Sequence, residues 1–545
     1  MKRSQESTAA VVAADSFSDR RGMLFAAALI GVVTFIALSS SLGNGFTNWD
    51  DQEYVTNNPL IRTLSWDNIK IIFTTFYKED FRHPLVLLSF AVEYHFFGLN
   101  PFIYHLDNLL LHMANAFLVF MLVHALSKNY VSALLAGLLF GVHPLHVESV
   151  AWVSERKDVL FALFYLSSML LYLRYGERGG KGYYLLALLL FALALLSKAM
   201  AVTLPVVLLL CDYLKGRSFD RKTVLEKVPF LFIALLFVVD TLFIFHSTDQ
   251  IKTTHLFSLH DNILTACRSV VWYLTKTVAP FSLSALYPRV EAVGILEVLS
   301  LLFLVAAAVA LTYSTRYTRK ALFGALFFII TILPVLKLIP FGAGGAPVAD
   351  RYMYIPAIGL FFMAGEGVNT LLLRKAGGEG GKRLLMLFVV VVIAVLGILS
   401  FQRSTVWHDD VTLWSDVVKK YPDTVVAHYN LGRFYQQQGM LDEAVAAYGN
   451  ALRLNPLLVS VRNNRGTALG QMGEYRRALA EFREVLRIDP YNIEAGINLA
   501  YASIILGECS KVREETRTLV LMEGGDRIAR LLAERCGPAQ RRRFP

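Results

Sequence analysis

Charged residues are scarce in this sequence, whereas long hydrophobic runs are frequent. Asp, Glu, Lys and Arg make up 18% of the 545 residues, hydrophobic residues make up 55%, and the mean hydropathy is +0.48. An average soluble domain carries about 25% charged residues. The composition therefore excludes an ordinary soluble protein and predicts a multi-pass membrane protein.

Cysteine is also rare, since the chain has only Cys211, Cys267, Cys509 and Cys536. They form no CxxC pair and no zinc spacing, which excludes a zinc ribbon and a dithiol redox motif. The formal net charge of +10 could fit a nucleic-acid-binding protein. Membrane proteins, however, collect Lys and Arg in their cytoplasmic loops, so we expect no nucleic-acid partner.

The hydrophobic runs predict the membrane spans. A span must cross about 30 Å of hydrocarbon at about 1.5 Å per residue. Runs of that length lie near residues 23–42, 102–126, 130–148, 157–175, 228–246, 293–313, 319–340, 351–373 and 382–401. The stretch 182–214 is interrupted by "SKAM" and flanked by basic clusters, which predicts two short helices and about eleven spans in all. The first hydrophobic run, residues 23–42, is longer than the hydrophobic core of a typical signal peptide. We therefore expect it to remain in the protein as a membrane helix rather than to be cleaved.

The basic loops predict the orientation. Segments 84–98 and 261–280 carry charges and are expected to lie in the membrane interface. The remaining Lys and Arg clusters then fall on the cytoplasmic side together with the N-terminus. The predicted domains are a cytoplasmic tail (1–22), a transmembrane domain (23–401) with a first outer loop (43–101), a linker with a degenerate repeat helix (402–422), repeats (423–524) and a cap with a basic tail (525–545).

A 34-residue period appears after residue 401. Pro422, Pro456 and Pro490 are spaced by it, as are Asn430, Asn464 and Asn498, and Gly439, Gly473 and Gly507. This period is the signature of tetratricopeptide repeats. The fold class is therefore all-α, a polytopic membrane domain followed by an α-solenoid. Such arrays usually present a concave surface to a peptide.

Two cysteines, Cys509 and Cys536, fall in the repeat region. The predicted orientation places them outside the cytoplasm, where disulfides persist. We expect a disulfide that fastens a terminal capping helix. The alternative is two buried free thiols.

Charged residues of both signs collect in the loops on the far side. They are Asp50 and Asp51, Arg82 and His83, Arg156, Lys157 and Asp158, and Arg351 with Tyr352. A carboxylate base with nearby cations suits sugar transfer from a lipid phosphate to a hydroxyl, because the base takes the proton and the cations stabilise the departing phosphate. The pattern favours Asp50 as base and Asp51 as its orienting neighbour, without deciding between them. A helix N-cap or a solvated turn is the alternative for the pair.

A metal site is a weaker reading of the same face. His143, His146 and Glu148 lie close together in "HPLHVE". Their spacing fits no helical ligand pattern, and a polar loop cap explains them equally. We therefore expect no required cofactor and keep a divalent metal as an open alternative.

The chain resembles a known family along nearly its whole length. The matching segments are "NWDDQEYVTNNPLI", "FRHPLVLLSFAVEYHFFGLNPFIYHLDNLLLHMANAFLVF", "LLFGVHPLHVESVAWVSERKDVLFALFYLSSMLLY", "LLSKAMAVTLPVVLLLCDYL" and "DRYMYIPAIGLFF", followed by the repeats. They are similar to those of the transmembrane and tetratricopeptide-repeat-containing O-mannosyltransferases and their bacterial relatives, within the GT-C superfamily of glycosyltransferases. "FRHPL" and "ERKDV" stand where the family often has "YRPL" and "RADLL".

The resemblance implies a membrane glycosyltransferase with Asp50 and Asp51 as its acidic motif. It would transfer a monosaccharide from a polyprenyl-phosphate donor to Ser or Thr of an extracytoplasmic protein, by inverting single displacement. Among bacterial relatives it would lie in the plasma membrane. A lipid or glycan acceptor is one alternative, and a non-enzymatic membrane-anchored repeat scaffold is another. The sequence does not identify the sugar, the acceptor, the lipid chain length or the oligomeric state.

Overall fold

Helices form all the regular structure in the described part of the chain, which confirms the all-α class. This computed structural model describes residues 21–74, 83–247, 258–288, 293–338, 348–374 and 378–537. The chain divides into two compact units, Met1–Asp409 and Asp410–Pro545.

Sixteen helices are described in the first unit. They are α1 (Arg21–Gly43), α2 (Trp66–Thr74), α3 (Pro84–Phe97), α4 (Pro101–Ser127), α5 (Tyr130–Val142), α6 (Val147–Ala151), α7 (Arg156–Arg178), α8 (Lys181–Leu195), α9 (Leu204–Lys215), α10 (Arg221–Leu225), α11 (Val228–Ser247), α12 (Leu259–Val278), α13 (Ile295–Ser314), α14 (Lys320–Ile332), α15 (Ala357–Leu373) and α16 (Gly378–Thr405).

Fewer helices than expected meet the length and hydropathy of a membrane span. Within the described residues five do so: Arg21–Gly43, Pro101–Ser127, Val153–Arg178, Ile295–Ser314 and Gly378–Thr405. A sixth is added if the bent pair Tyr130–Val142 and Pro144–Ala151 is one span. Several expected spans are shorter apolar helices, such as α8 and α15. The chain has several membrane-length helices, and a total of eleven remains a prediction.

Pro144 breaks the expected span over residues 130–148. His143 is extended (φ −75°, ψ 130°), because a residue that precedes proline is driven out of the helical region. The helix axis turns by 52° at this point. The chain then passes through short turns, Pro144–His146 and Val153–Glu155, on either side of α6 before α7 begins. This irregular segment carries Glu148 and Glu155.

The stretch 182–214 is also broken. Helix α8 ends at Leu195, and Lys198 has an extended backbone (φ −158°, ψ 136°). A short 3-10 helix, Ala199–Thr203, leads into α9. Lys198, in the sequence "SKAM", therefore lies outside both helices.

The first outer loop has its own hydrophobic core, which fixes the turn that carries Asp50 and Asp51. Its buried residues are Tyr54, Val55, Ile61, Ile72, Val86, Leu87, Phe90, Ala91, Tyr104 and Val153. They come from the loop, α2, α3, the start of α4 and the segment before α7. The loop is thus packed against the elements that carry the other charged residues.

The second unit is a helical repeat array with a cap. Its helices are α17 (Asp410–Lys420), α18 (Val425–Gln437), α19 (Leu441–Leu454), α20 (Val459–Gln471), α21 (Tyr475–Ile488), α22 (Ile493–Ile505), α23 (Cys509–Glu515), α24 (Arg517–Val520) and α25 (Asp526–Cys536).

One contact between the two helices of a repeat recurs after 34 residues in this array. Gly432 and Gly466 lie against the rings of Tyr448 and Phe482, and a Cβ at either glycine would overlap the ring. The two helices of a repeat can therefore cross closely only with glycine at that position.

The C-terminal helix closes the hydrophobic core of the array. Ile528 and Leu532 of α25 are buried in one cluster with Leu499 and Leu519. Cys509 and Cys536 form a disulfide with Cα atoms 5.7 Å apart. The bond joins the start of α23 to the end of α25, where the expected capping helix lies.

Candidate active site

Asp51 anchors the first outer loop to the segment that precedes α7. Its side chain is buried and accepts four hydrogen bonds: from N and Oγ1 of Thr47 (2.8 and 3.1 Å) and from N and Oγ of Ser154 (2.9 and 2.5 Å). Burial raises the pKa of Asp51 to about 6, and the bonds from Ser154 and Thr47 oppose that rise. Because both oxygens are occupied, Asp51 suits a positioning role.

Asp50 is the accessible member of the pair. About a third of its side chain is exposed (32%), and its Oδ2 lies 3.5 Å from Nζ of Lys157. Burial raises the pKa of Asp50 above its usual range, while the positive charge of Lys157 acts in the opposite direction. A carboxylate with raised proton affinity and an open face can accept a proton from a hydroxyl.

Three cations surround one buried carboxylate beside Asp50. Glu155 lies 3.2 Å from Lys157, 3.4 Å from Lys198 and 3.5 Å from Nε of Arg351. We call Lys157, Lys198 and Arg351 the cation cluster. Its members come from α7, from the break between α8 and α9, and from the short 3-10 helix Asp350–Met353.

Aromatic rings support the cation cluster. Lys157 lies over the ring of Tyr54 (4.6 Å), and Arg351 lies over the rings of Trp152 (5.5 Å) and Tyr352 (5.0 Å). The ring of Trp152 also packs against Trp49, next to Asp50, at 5.1 Å. These contacts hold the cations in place without neutralising their charge.

The cation cluster lines a cavity of about 450 Å³ whose wall has both charged and apolar residues. The charged and polar lining residues are His83, Glu155, Lys157, Lys198, Thr241, Lys337, Arg351 and Tyr352. The apolar ones are Ala199, Met200, Val202, Phe237, Val238, Leu242, Pro334 and Val335. The arrangement suits an amphipathic anion, a phosphate joined to a hydrocarbon chain.

His83 reaches the cavity from the start of α3. Its Nδ1 lies 3.2 Å from the hydroxyl oxygen of Tyr54. Burial, and then the charges of Lys157 and Lys198, lower the pKa of His83 to about 3. His83 is therefore a neutral hydrogen-bonding group at physiological pH. Arg82, also a candidate from the sequence, lies outside the described residues.

Asp158 and Glu148 each pair with one member of the cation cluster, and neither lines the cavity. Asp158 lies 2.6 Å from Nζ of Lys198 and accepts a hydrogen bond from Ser149 (3.0 Å). Glu148 lies 2.5 Å from Nη1 of Arg351. Both carboxylates are buried. Asp158 therefore positions Lys198 and is not itself part of the cavity lining.

Arg156 does not line the cavity, although its neighbour Lys157 does. The side chain is fully buried and donates to Asn108 (2.7 Å) and to the carbonyl of Tyr104 (2.8 Å). It also pairs with Glu93 (2.5 Å) and Asp107 (3.3 Å). Successive residues on a helix point about 100° apart. Arg156 consequently faces α3 and α4, and Lys157 faces the cavity.

The three candidate metal ligands do not form a metal site. Nε2 of His143 contacts the carbonyl of Thr277 (2.9 Å), and Nδ1 of His146 contacts the carbonyl of Phe140 (2.8 Å). Glu148 instead pairs with Arg351. Within the described residues, no group of His, Cys, Asp and Glu is placed to hold a metal ion.

Three charged residues of the cavity lining were not predicted from the sequence. Lys198 was treated only as an interruption of an apolar run. Lys337 follows a hydrophobic helix, and Glu155 lies in the segment "SERKD" beside the residues that were predicted. The signal was present for Lys198 and Lys337, because an ionisable residue beside a membrane run marks a functional site by default.

Fold and site together define a multi-pass membrane protein with a polar cavity and a tetratricopeptide-repeat domain. The family model described as "Dolichyl-phosphate-mannose-protein mannosyltransferase" matches residues 84–245. Two tetratricopeptide-repeat models match residues 425–456 and 459–492.

The chain is similar in sequence to protein O-mannosyl-transferases, which confirms the resemblance seen in the sequence. It is 26% identical to human protein O-mannosyl-transferase TMTC1 over 513 residues, covering 79% of this chain and 55% of that protein. It is 23% identical to protein O-mannosyl-transferase F38B6.6 of Caenorhabditis elegans over 450 residues, covering 78% of this chain and 62% of that protein. The chain thus spans less than two thirds of the length of these relatives.

Among solved structures, the chain is similar to ArnT from Cupriavidus metallidurans bound to undecaprenyl phosphate. The TM-score is 0.37 at 13% sequence identity, with 85% of this chain and 80% of that chain covered.

Proposed function

We propose that this chain is a membrane glycosyltransferase that moves a monosaccharide from a polyprenyl-phosphate donor to Ser or Thr of an extracytoplasmic protein. The observation that carries the proposal is the cavity, which is lined by the cation cluster and by apolar side chains, with Asp50 beside Lys157. The names of the relatives, protein O-mannosyl-transferases, support transfer to protein.

The donor phosphate lies among Lys157, Lys198 and Arg351 in this proposal. The isoprenoid follows the wall formed by Phe237, Val238 and Leu242 of α11 and by Val335. A phosphate held by several cations forms charge-assisted hydrogen bonds, and the lipid chain remains in an apolar environment. The apolar wall distinguishes this site from one for a free sugar phosphate.

Transfer is a single displacement. The acceptor hydroxyl oxygen attacks the anomeric carbon while the bond from that carbon to the phosphate oxygen breaks. Asp50 takes the hydroxyl proton, and the polyprenyl phosphate leaves with the bonding electrons, stabilised by the cation cluster. The configuration at the anomeric carbon is inverted because one nucleophile displaces one leaving group.

The experiment compares cells that produce the wild type, Asp50→Asn or Asp67→Asn. Asn keeps the shape of Asp but cannot take the proton, and Asp67 is an exposed carboxylate of the same loop that serves as the matched control. Mass spectrometry of extracytoplasmic proteins should show sugar on Ser and Thr with the wild type and Asp67→Asn, reduced about 100-fold or more with Asp50→Asn. Equal modification with Asp50→Asn at equal protein level would overturn the proposal.

A further inference from the structure

Glu155 has an unexpected position for a negative charge. It lines the cavity, is 3% exposed, and pairs with all three members of the cation cluster. A phosphate bound there needs the same three cations. The carboxylate of Glu155 therefore occupies the coordination that the proposed donor phosphate would use.

The cations do not depend on Glu155 for a partner. Lys157 has Asp50 at 3.5 Å, Lys198 has Asp158 at 2.6 Å, and Arg351 has Glu148 at 2.5 Å. Each cation thus has a carboxylate of its own, and Glu155 is shared by all of them. Removing the charge of Glu155 should leave every cation paired and should make the site more positive.

A shared carboxylate has a definite effect on an anion that enters the site. The two negative groups compete for the same N–H donors and repel each other at a few ångströms, where little water screens them. The leaving polyprenyl phosphate gains charge when the bond to the sugar breaks, so it is repelled more strongly than the donor. The repulsion therefore lowers the affinity for the product more than the affinity for the donor, and it favours product release.

We infer that Glu155 is a positioning residue that takes the place of the phosphate among Lys157, Lys198 and Arg351 and promotes release of the polyprenyl phosphate product. The inference rests on the proposed function. It predicts that loss of the Glu155 charge tightens product binding, which is the opposite of the result for a residue that merely supports the fold.

The test measures binding of undecaprenyl phosphate to the purified full-length chain in lipid nanodiscs. Glu155→Gln should bind the probe about tenfold more tightly than the wild type. In turnover assays kcat and the KM for the donor should fall together, because product release becomes slower. Glu155→Asp, which retains the charge, should stay near the wild type.

A control variant and two further outcomes complete the test. Glu177→Gln removes a carboxylate of α7, the helix that begins directly after Glu155. Glu177 pairs with Lys128 and Lys215, and its replacement should not change binding. Weaker or unchanged binding by Glu155→Gln would overturn the inference while leaving the proposed function intact. A wild type that does not bind undecaprenyl phosphate would instead overturn the proposed function.

A second charge-free variant covers the case in which Glu155→Gln does not fold. Glu155→Met has nearly the same length and should tighten binding in the same direction. If neither variant yields folded protein, the cations require Glu155 despite their own carboxylates, and the inference is wrong.

Discussion

Asp50 and Asp51 are neighbours in the sequence but have opposite surroundings. Asp51 is enclosed by Thr47 and Ser154, whereas Asp50 is partly open and faces Lys157. The sequence predicts an acidic pair after the first span but cannot assign the roles, because they depend on Ser154, more than 100 residues away. The difference in exposure favours Asp50 as the base.

The pH dependence of the reaction tests this assignment. A carboxylate accepts a proton only when ionised, so kcat/KM falls as the pH drops below the pKa of Asp50. Burial raises that pKa and Lys157 lowers it, with Arg351 acting like Lys157, and Glu155 and Glu53 acting in the opposite direction. Lys157→Gln should therefore move the acid limb of the kcat/KM profile to higher pH.

A matched cation provides the control for the pH profile. Lys128 is exposed and pairs with Glu177, away from the cavity, so Lys128→Gln should leave the acid limb in place. Donor KM is also expected to rise with Lys157→Gln, because that side chain lines the cavity. An acid limb that does not move would mean that Asp50 is not the titrating base.

At the scale of elements, several charged lining residues lie at breaks between helices, although Lys157 is the second residue of α7. Glu155 precedes α7, Lys198 separates α8 from α9, and Arg351 lies in a short 3-10 helix. Irregular backbone at membrane depth is tolerated only where it is buried in protein or lines a cavity. Hydropathy predicts the helices well because it averages over many residues, and it misses these breaks because each involves only a few.

Arg156 links α7 to α3 and α4 and gives a prediction about stability. Replacing it by Met leaves Glu93 buried without its cation, and a broken buried ion pair costs about 3–5 kcal/mol. Arg156→Met should therefore lower the melting temperature of the purified protein. Arg178→Met, an exposed change at the end of the same helix, should not.

A double variant separates the ion pair from general packing. Glu93→Gln together with Arg156→Met removes both charges, so it should recover part of the stability lost in Arg156→Met alone. A double variant as unstable as the sum of the single variants would show that the hydrogen bonds to Asn108 and Tyr104 provide the stabilisation.

At the scale of the whole molecule, the two units were recognised from the sequence by different signals. The first unit has long hydrophobic runs, and the second has a 34-residue period, with which the contact of Gly432 with Tyr448 recurs as that of Gly466 with Phe482. The cavity could not be predicted, because its lining comes from five or more segments that are distant in sequence. Periodicity reports local packing, whereas a cavity depends on long-range contacts.

The orientation of both units is a prediction that thiol labelling can test. In a Cys267→Ser background, single cysteines are introduced at Asp67 in the first outer loop, at Glu443 in the repeats and at Arg316 in a basic loop, all of them exposed. The distribution of Lys and Arg predicts that Asp67→Cys and Glu443→Cys react with a membrane-impermeant reagent in intact cells. Arg316→Cys should react only after permeabilisation.

The native disulfide reports independently on the same orientation. Cys509 and Cys536 are bonded in the structure, and such a bond persists in an oxidising compartment but rarely in the cytoplasm. Peptide mapping without reductant should therefore recover the two cysteines as one crosslinked pair. Labelling of Glu443→Cys only after permeabilisation, together with free thiols at Cys509 and Cys536, would place the repeats in the cytoplasm. An acceptor held by the repeats would then be on the wrong side of the membrane for Asp50.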